Sequence, residues 1–256
     1  MPAWPHPQFA HPAFAPLRAV LASWATFPDL AQLSADVTAR TERGLPVQFV
    51  PQDSLTRYYE AEVYELGRVA TRAANWHDLF NALMWRTWPR SKAALNALHY
   101  TELQRNPDGP RGPQRDAATL FDECGLVIAY SDPDLLDALV GHQWHALFRD
   151  HANAWGTRIS ALCFGHATLE SLLEPFAGLT AKCWPVQVEP AWFMRSPAQQ
   201  IAELDQHIAA ALAAGELQRP RQLPPLPYLG IPGWWPQQDE AFYADTQYFR
   251  PKRIIK

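Results

Sequence analysis

The sequence contains little cysteine and lysine, no long apolar run and no excess of positive charge. Its three cysteines are an odd number without CxxC or CxxH spacing, which argues against a disulfide framework or a zinc knuckle and favours buried free thiols. A net charge of −4 provides no basic footprint for nucleic acid. With neither a signal-peptide pattern nor a membrane-spanning run, we expect a cytoplasmic protein that does not span a membrane.

Several catalytic signatures are also missing from the sequence. There is no GxxxxGK(S/T), no GxGxxG after a strand and no GxSxG, which argues against binding of ATP or dinucleotides and against the common serine hydrolases. Cys163 lies in an apolar strand pattern, where a buried thiol is inert. The function must therefore be sought in other polar residues.

The apolar periodicity predicts an α+β fold, mostly helical, with a small sheet packed against helices and irregular Pro-rich termini. The predicted strands are 47–50, a hairpin over 58–70 that turns at Leu66-Gly67, 126–130, 158–164 and 181–188. The predicted helices are one starting near Leu17, then 30–41, 76–88, 89–104, 115–122, 132–150, one after Gly165, and 196–214.

Composition divides the chain into three parts. Residues 1–16 form a Pro-rich N-terminal arm, 17–215 a single α+β domain, and 216–256 a Pro/Trp-rich C-terminal arm that wraps the domain. Five of the first sixteen residues are proline, so we expect an extended arm that packs aromatic side chains against the body. Those side chains are Trp4, Phe9 and Phe14.

Polar residues with chemical capability recur in a segment that is otherwise typical of buried helix. Asn75 suits a helix N-cap, and His77, Asp78 and Asn81 follow within about two helical turns. His77 is therefore a candidate general base or metal ligand, with Asp78 or Asn81 beside it. The alternative is structural: Asn75 caps the helix, Asp78 complements the helix dipole, and the histidines satisfy buried hydrogen bonds.

Two further helices supply candidate residues. Lys92, Asn96 and His99 follow at i, i+4 and i+7 and share one helical face, which a helical hairpin would bring towards His77. On the next predicted helix, Arg115 offers an anion-binding guanidinium and Asp122 a carboxylate. These two residues indicate a polar pocket, although an ordinary solvated helix face would have the same pattern.

His166 and Glu170 lie four residues apart just after a predicted strand, where ligand sites are common. Their spacing would allow both to bind one metal ion. Because no HExxH signature is present, a surface hydrogen bond is the alternative interpretation.

Several unusual blocks occur in one order along the chain: TRAANWHDLFNALMW, KAALNALH, RDAATLFDECG, FGHATLESLLEP, LTAK, and LGIPGWW to FRPKR. In this respect the chain resembles an uncharacterised bacterial family known only as a domain of unknown function, with the patterns TRxxNWHDLFNAL, LFDExG and GHAxLExLLxP. The resemblance covers roughly Gln48 to Arg253. It supports the domain prediction and implies no activity, cofactor or catalytic residue.

Together these residues suggest a hydrolase with a polar pocket that binds a divalent metal or an anionic small-molecule substrate. The candidate catalytic residues are His77, Asp78, His99 and Asp122; the candidate substrate-binding residues are Asn81, Lys92, Asn96 and Arg115; the candidate metal ligand is His166. The competing hypothesis is a non-enzymatic binding or scaffold protein whose polar residues form a structural hydrogen-bond network. The sequence leaves cofactor identity and oligomeric state open.

Overall fold

The computed structural model describes residues 2–35, 37–105, 110 and 112–252. It is 52% helical and 13% strand, with two small sheets packed against helices, which confirms the predicted α+β class. The helices are α1 (Arg18–Ala22), α2 (Leu30–Ser34), α3 (Tyr59–Leu66), α4 (Trp76–Thr87), α5 (Pro89–Arg105), α6 (Pro113–Cys124), α7 (Pro133–Val140), α8 (His166–Ser171), α9 (Pro197–Ala213) and α10 (Glu240–Tyr243). The strands are β1 (Gln48–Pro51), β2 (Arg68–Thr71), β3 (Gly125–Tyr130), β4 (Ile159–Cys163), β5 (Thr180–Gln187) and β6 (Pro225–Pro227).

The larger sheet has the strand order β4-β3-β5-β6. Its central strand β3 runs antiparallel to β4, with Val127 opposite Leu162, and parallel to β5, with Val127 opposite Trp184. Residues 125–129 are buried, as expected for a strand covered on both faces. The smaller sheet is a parallel pair of β1 and β2.

The predicted hairpin over 58–70 is wrong. The chain forms α3, which ends at Gly67 in the left-handed conformation (φ 71°), and then β2, which runs parallel to β1 rather than back along α3. The short alternation of apolar residues suggested a strand. In the structure this segment is a helix in which Glu62 is fully buried, and Glu62 accepts hydrogen bonds from the Thr56 backbone N–H at 2.7 Å and from Arg68 at 3.1 Å. Local periodicity carried no signal of these tertiary contacts.

Two predicted helices are shorter than expected. The helix over 30–41 ends with α2 at Ser34, and the helix over 132–150 ends with α7 at Val140. After α7, His142 has a positive φ of 55°, which is incompatible with a continuous α-helix. A single π-helical turn over Ala146–Asp150 follows.

The N-terminal arm is not extended. It forms two 3-10 turns, Pro7–Ala10 and Pro12–Leu17, because proline suits the first position of a helical turn. Phe9 and Phe14 are buried in the core, and Trp4 packs against it.

Towards the C-terminus, β6 was not predicted, because its Pro-Leu-Pro sequence is unusual for a strand. As an edge strand it tolerates proline and pairs with β5. Tyr228, Trp234 and Tyr248 are buried in the core.

The division into two arms and one domain stays a prediction. Across the described residues, no helix has both the length and the hydrophobicity needed to cross a membrane.

Candidate functional site

A polar pocket of about 410 Å³ lies where the first turns of α4 and α8 meet the last turn of α6 and the start of α3. Larger hollows elsewhere on the surface, of about 1040 and 670 Å³, do not contain the polar residues singled out in the sequence. The predicted residues that line the polar pocket are His77, Asp78, Asn81, His99, Asp122 and His166. These six residues lie on α4, α5, α6 and α8, and α3 also lines the pocket, so five helices contribute to one site.

The start of α4 is built as the sequence predicted. The Asn75 side-chain oxygen caps the helix and accepts a hydrogen bond from the Asp78 backbone N–H at 3.0 Å. Asp78 in turn accepts two hydrogen bonds from the Arg72 guanidinium, at 2.8 and 2.9 Å, and one from the Arg72 backbone N–H at 2.6 Å. This cap and ion pair fix the helical turn that carries His77.

The start of α8 is positioned by a close backbone contact. A Cβ on Gly165 would lie 2.4 Å from the Glu123 carbonyl oxygen and 2.5 Å from the Gly125 nitrogen, so only glycine fits there. The next residue is His166, which is buried. The close contact brings His166 next to the end of α6, which carries Asp122.

Two histidines from distant parts of the chain meet in the pocket. The Nε2 atoms of His77 and His166 are 3.0 Å apart, and the ring planes are inclined by 77°. On the other side of the His77 ring, Nδ1 is 3.0 Å from the Glu170 carboxylate. On the other side of the His166 ring, Nδ1 is 3.8 Å from the Asp122 carboxylate and, within the part of the chain that the structure describes, makes no hydrogen bond of ordinary geometry.

Below the pocket floor, a buried lysine holds the Asp122 carboxylate. The Lys92 ammonium donates to Asp122 at 2.5 Å and to the Asn81 side-chain oxygen at 2.9 Å, and it lies 5.7 Å from the centre of the Trp85 ring. The Asn81 amide nitrogen then donates to the Tyr59 hydroxyl at 3.2 Å. The Lys92 charge is thus paired and hydrogen-bonded, as a buried charge must be.

Burial and neighbouring charges set the ionisation of the site. Burial lowers the pKa of His166 to about 4, although the Asp122 carboxylate opposes this change. Burial also lowers the pKa of His99 and raises the pKa of Tyr59. For Asp122, burial alone would raise the pKa, but the charges of Lys92 and His166 lower it below its ordinary value. At neutral pH an ionised Asp122 therefore faces a neutral His166.

The pocket lies within a region of the chain that matches a known protein family. A family model described as "Protein of unknown function (DUF3025)" matches residues 47–253. The chain belongs to this family. The match confirms the resemblance noted over Gln48 to Arg253 and includes every residue that lines the pocket. Searches among curated proteins and among solved structures found no match.

Three of the residues predicted to bind substrate in this DUF3025 domain do not line the pocket. Lys92 is buried beneath it, and Asn96 is also buried, where its amide donates to the Glu60 side chain at 3.0 Å. Arg115 lies on α6 outside the lining, and its charge helps to lower the pKa of His99. These three side chains support the pocket or its surroundings, whereas Asn81 lines it directly.

Sequence reasoning missed three residues of the site and did not identify the partner of a fourth. Tyr59 and Glu60 line the pocket but were assigned to a hairpin, and Arg72 was not considered. The spacing of Glu170 and His166 allowed a shared metal ion or a surface hydrogen bond, yet the Glu170 carboxylate contacts His77, which is 93 positions away in the sequence. The capping pattern at Asn75 marked the start of α4, but no local signal indicated which carboxylate would face His77.

The arrangement is suited to proton transfer, because the two imidazoles are adjacent and a carboxylate lies near the outer nitrogen of each, in the order Glu170, His77, His166, Asp122. Within the described ranges, no group of three or more histidine, cysteine, aspartate or glutamate side chains is arranged to hold a metal ion. His166, the predicted metal ligand, has one further imidazole in its immediate vicinity.

Proposed function

We propose that the polar pocket is the active site of a hydrolase that acts on a small polar molecule. The observation that carries this proposal is the His77–His166 pair, in which each imidazole has a carboxylate near its second nitrogen. A carboxylate beside one ring nitrogen orients a histidine and favours its protonated form, although at His166 burial outweighs Asp122 and lowers the pKa to about 4. Paired in this way, the histidines can accept a proton from an attacking water molecule and return it to a leaving group.

Water is the nucleophile in this proposal, because the Cys163 thiol is buried and the Lys92 amine is occupied. No cysteine or serine is found among the described residues that line the pocket. Burial raises the pKa of the Cys163 thiol to about 12, and Lys92 donates to Asp122 and Asn81. His77, whose side chain is one-third exposed, is the imidazole that water can reach.

The charge of the lining favours neutral or cationic substrates over anionic ones. Glu60, Asp78, Asp122 and Glu123 line the pocket, and the Arg72 guanidinium beside them is already paired with Asp78. An anionic substrate would meet these carboxylates without a free cation in the described lining. We therefore favour carboxyl esters and amides over phosphoesters, which revises the anionic substrate suggested by the sequence.

The test is a hydrolysis screen with small carboxyl esters, amides and phosphoesters. For the substrates that are cleaved, His77→Ala should reduce the rate by about 10²- to 10⁴-fold, the usual contribution of a general base. The matched control is His207→Ala, because His207 is exposed on α9 outside the pocket and its loss should leave the rate unchanged. Absence of turnover across all three substrate classes, or equal rates in the two variants, would contradict the proposal.

A non-enzymatic binding or scaffold protein is the second candidate. The observation that favours it is the linked set of hydrogen bonds from Tyr59 through Asn81 and Lys92 to Asp122, which fixes how α3, α4, α5 and α6 pack. In that case His77→Ala would lower the free energy of unfolding, and wild-type protein would cleave none of the substrates. Urea denaturation of the same variants distinguishes the two functions.

A further inference from the structure

We infer that His77 and His166 bind one divalent transition-metal ion between their Nε2 atoms. The inference concerns the pocket of the proposed hydrolase, but it is carried by the geometry of the two rings and does not require that activity. The relevant distances are 3.0 Å between the Nε2 atoms, 3.0 Å from His77 Nδ1 to Glu170, and 3.8 Å from His166 Nδ1 to Asp122.

The positions of the ring protons provide the first argument. A neutral imidazole carries one proton, on either Nδ1 or Nε2. The contact with the Glu170 carboxylate requires the His77 proton on Nδ1, so His77 Nε2 presents a lone pair to His166. If His166 carries its proton on Nε2, it can donate to His77.

That choice leaves the other nitrogen of His166 unsatisfied. A deprotonated Nδ1 would direct a lone pair towards the negatively charged Asp122 and its nearby backbone carbonyl, and among the described residues nothing donates a hydrogen bond to this buried nitrogen. If the proton lies on Nδ1 instead, it can point towards Asp122, but two Nε2 lone pairs then face each other at 3.0 Å. Neither tautomer of the neutral pair satisfies all four nitrogens.

A cation between the two Nε2 atoms removes this conflict. Both lone pairs then bind the cation, and both Nδ1–H groups can point towards carboxylates, Glu170 for His77 and Asp122 for His166. Imidazoles that bind metal commonly donate their second N–H to a carboxylate in this way. Two nitrogens bound to one zinc ion at a tetrahedral angle, with Zn–N distances of about 2.0–2.1 Å, lie roughly 3.3–3.4 Å apart. The observed separation of 3.0 Å would therefore widen slightly when the ion binds.

The donor atoms indicate the class of metal. Neutral imidazole nitrogen suits zinc, copper, nickel and cobalt, whereas magnesium and calcium prefer oxygen ligands. Two protein ligands leave the other coordination positions to water and substrate. The carboxylates of the lining, Asp122 and Glu123 among them, would offset the charge of the ion.

The test is metal binding by the full chain after removal of bound metal with a chelator. We expect one equivalent of Zn²⁺ to bind in a calorimetric titration, and Co²⁺ to bind with the visible absorption that reports nitrogen ligation. His77→Ala and His166→Ala should each abolish stoichiometric binding, and Mg²⁺ should not compete. His207→Ala is the control for adventitious binding by a surface imidazole and should bind as wild type does.

Glu170→Gln keeps the test informative if a histidine variant fails to fold. The Glu170 side chain is 43% exposed, so this change should preserve the fold, and loss of the carboxylate behind His77 should weaken Zn²⁺ binding by about 10- to 100-fold. Absence of binding by wild type, or unchanged affinity in folded His77→Ala and Glu170→Gln, would overturn the inference.

Different results would overturn the metal site and the proposed hydrolase activity. Hydrolysis by metal-free protein, with no Zn²⁺ bound on titration, would overturn the metal site and leave the hydrolase, with a proton shared between the imidazoles. Stoichiometric Zn²⁺ binding without turnover of any substrate, in the presence or absence of metal, would overturn the hydrolase and leave the metal site.

Discussion

At the scale of single residues, Lys92 determines the charge state of the pocket floor. Its ammonium group is buried, donates to Asp122 and Asn81, and keeps the pKa of the Asp122 carboxyl below its ordinary value although burial alone would raise it. Removing one partner of a buried ion pair leaves the other charge without compensation. The pair is therefore expected to affect stability as well as the electrostatics of His166.

We expect Lys92→Met to lower the free energy of unfolding by about 3–5 kcal/mol, because Asp122 would lose its compensating charge. The matched control is Lys182→Met, a half-buried lysine on β5 outside this network, which should cost less than about 1 kcal/mol. Urea denaturation measures both. The double variant Lys92→Met/Asp122→Asn should recover part of the loss. A double variant no more stable than Lys92→Met would contradict this explanation.

His99 should make stability depend on pH. Burial lowers its pKa below that of the unfolded chain, so its contribution is fully present above the unfolded value of about 6.5 and is lost as the pH falls through the folded value. His99→Gln should therefore flatten the acid side of the stability profile, by at most about 1.4 kcal/mol per pH unit. Urea denaturation between pH 7.5 and pH 5 measures the slopes. His207→Gln should retain the wild-type slope, and an equal slope for His99→Gln would refute the prediction.

At the scale of helices and strands, the pocket depends on how the start of α8 lies against the end of α6. Gly165 makes this contact, and the backbone of Glu123 leaves no room there for a Cβ. His166 follows immediately, so a shift of the backbone here changes the distances from His166 to His77 and Asp122. The position of the imidazole pair is therefore coupled to one glycine.

Gly165→Ala should destabilise the protein by about 1–3 kcal/mol, the usual cost of overpacking, and should reduce the proposed activity because His166 is displaced. Gly112→Ala is the control, since the nearest atom to an added Cβ there is 4.0 Å away and the change from glycine to alanine at this N-cap should cost less than about 1 kcal/mol. Thermal unfolding and the hydrolysis rate measure the two effects. Equal stability of the two variants would contradict the clash.

Sequence patterns predicted some elements well because the signals were local. The cap at Asn75 and the proline at position 89 marked the starts of α4 and α5, and the apolar run 126–130 marked β3. The helix α3 was missed because it depends on tertiary contacts of the buried Glu62. In the same way, His77 and His166 were recognised as candidates, but their contact across 89 positions could not be deduced from either segment.

At the scale of the whole molecule, the site is assembled from residues between Gln52 and Glu170 and is supported by the N-terminal arm. Trp4 stacks on Trp76 with ring centres 5.9 Å apart, and Phe9 and Phe27 pack against the same ring. Trp76 directly precedes His77 in α4. The aromatic side chains of the N-terminal arm therefore pack against the helical turn that carries His77.

If His77 and His166 act as one catalytic unit, a double-mutant cycle on the hydrolysis rate should show that their contributions are coupled. His77→Ala and His166→Ala are measured singly and together on the best substrate, with circular dichroism to verify folding. We predict that each single change reduces the rate by about 10²- to 10⁴-fold, and that the double variant loses no more than the worse single variant. Losses that multiply, or folded variants that retain the wild-type rate, would contradict this coupling.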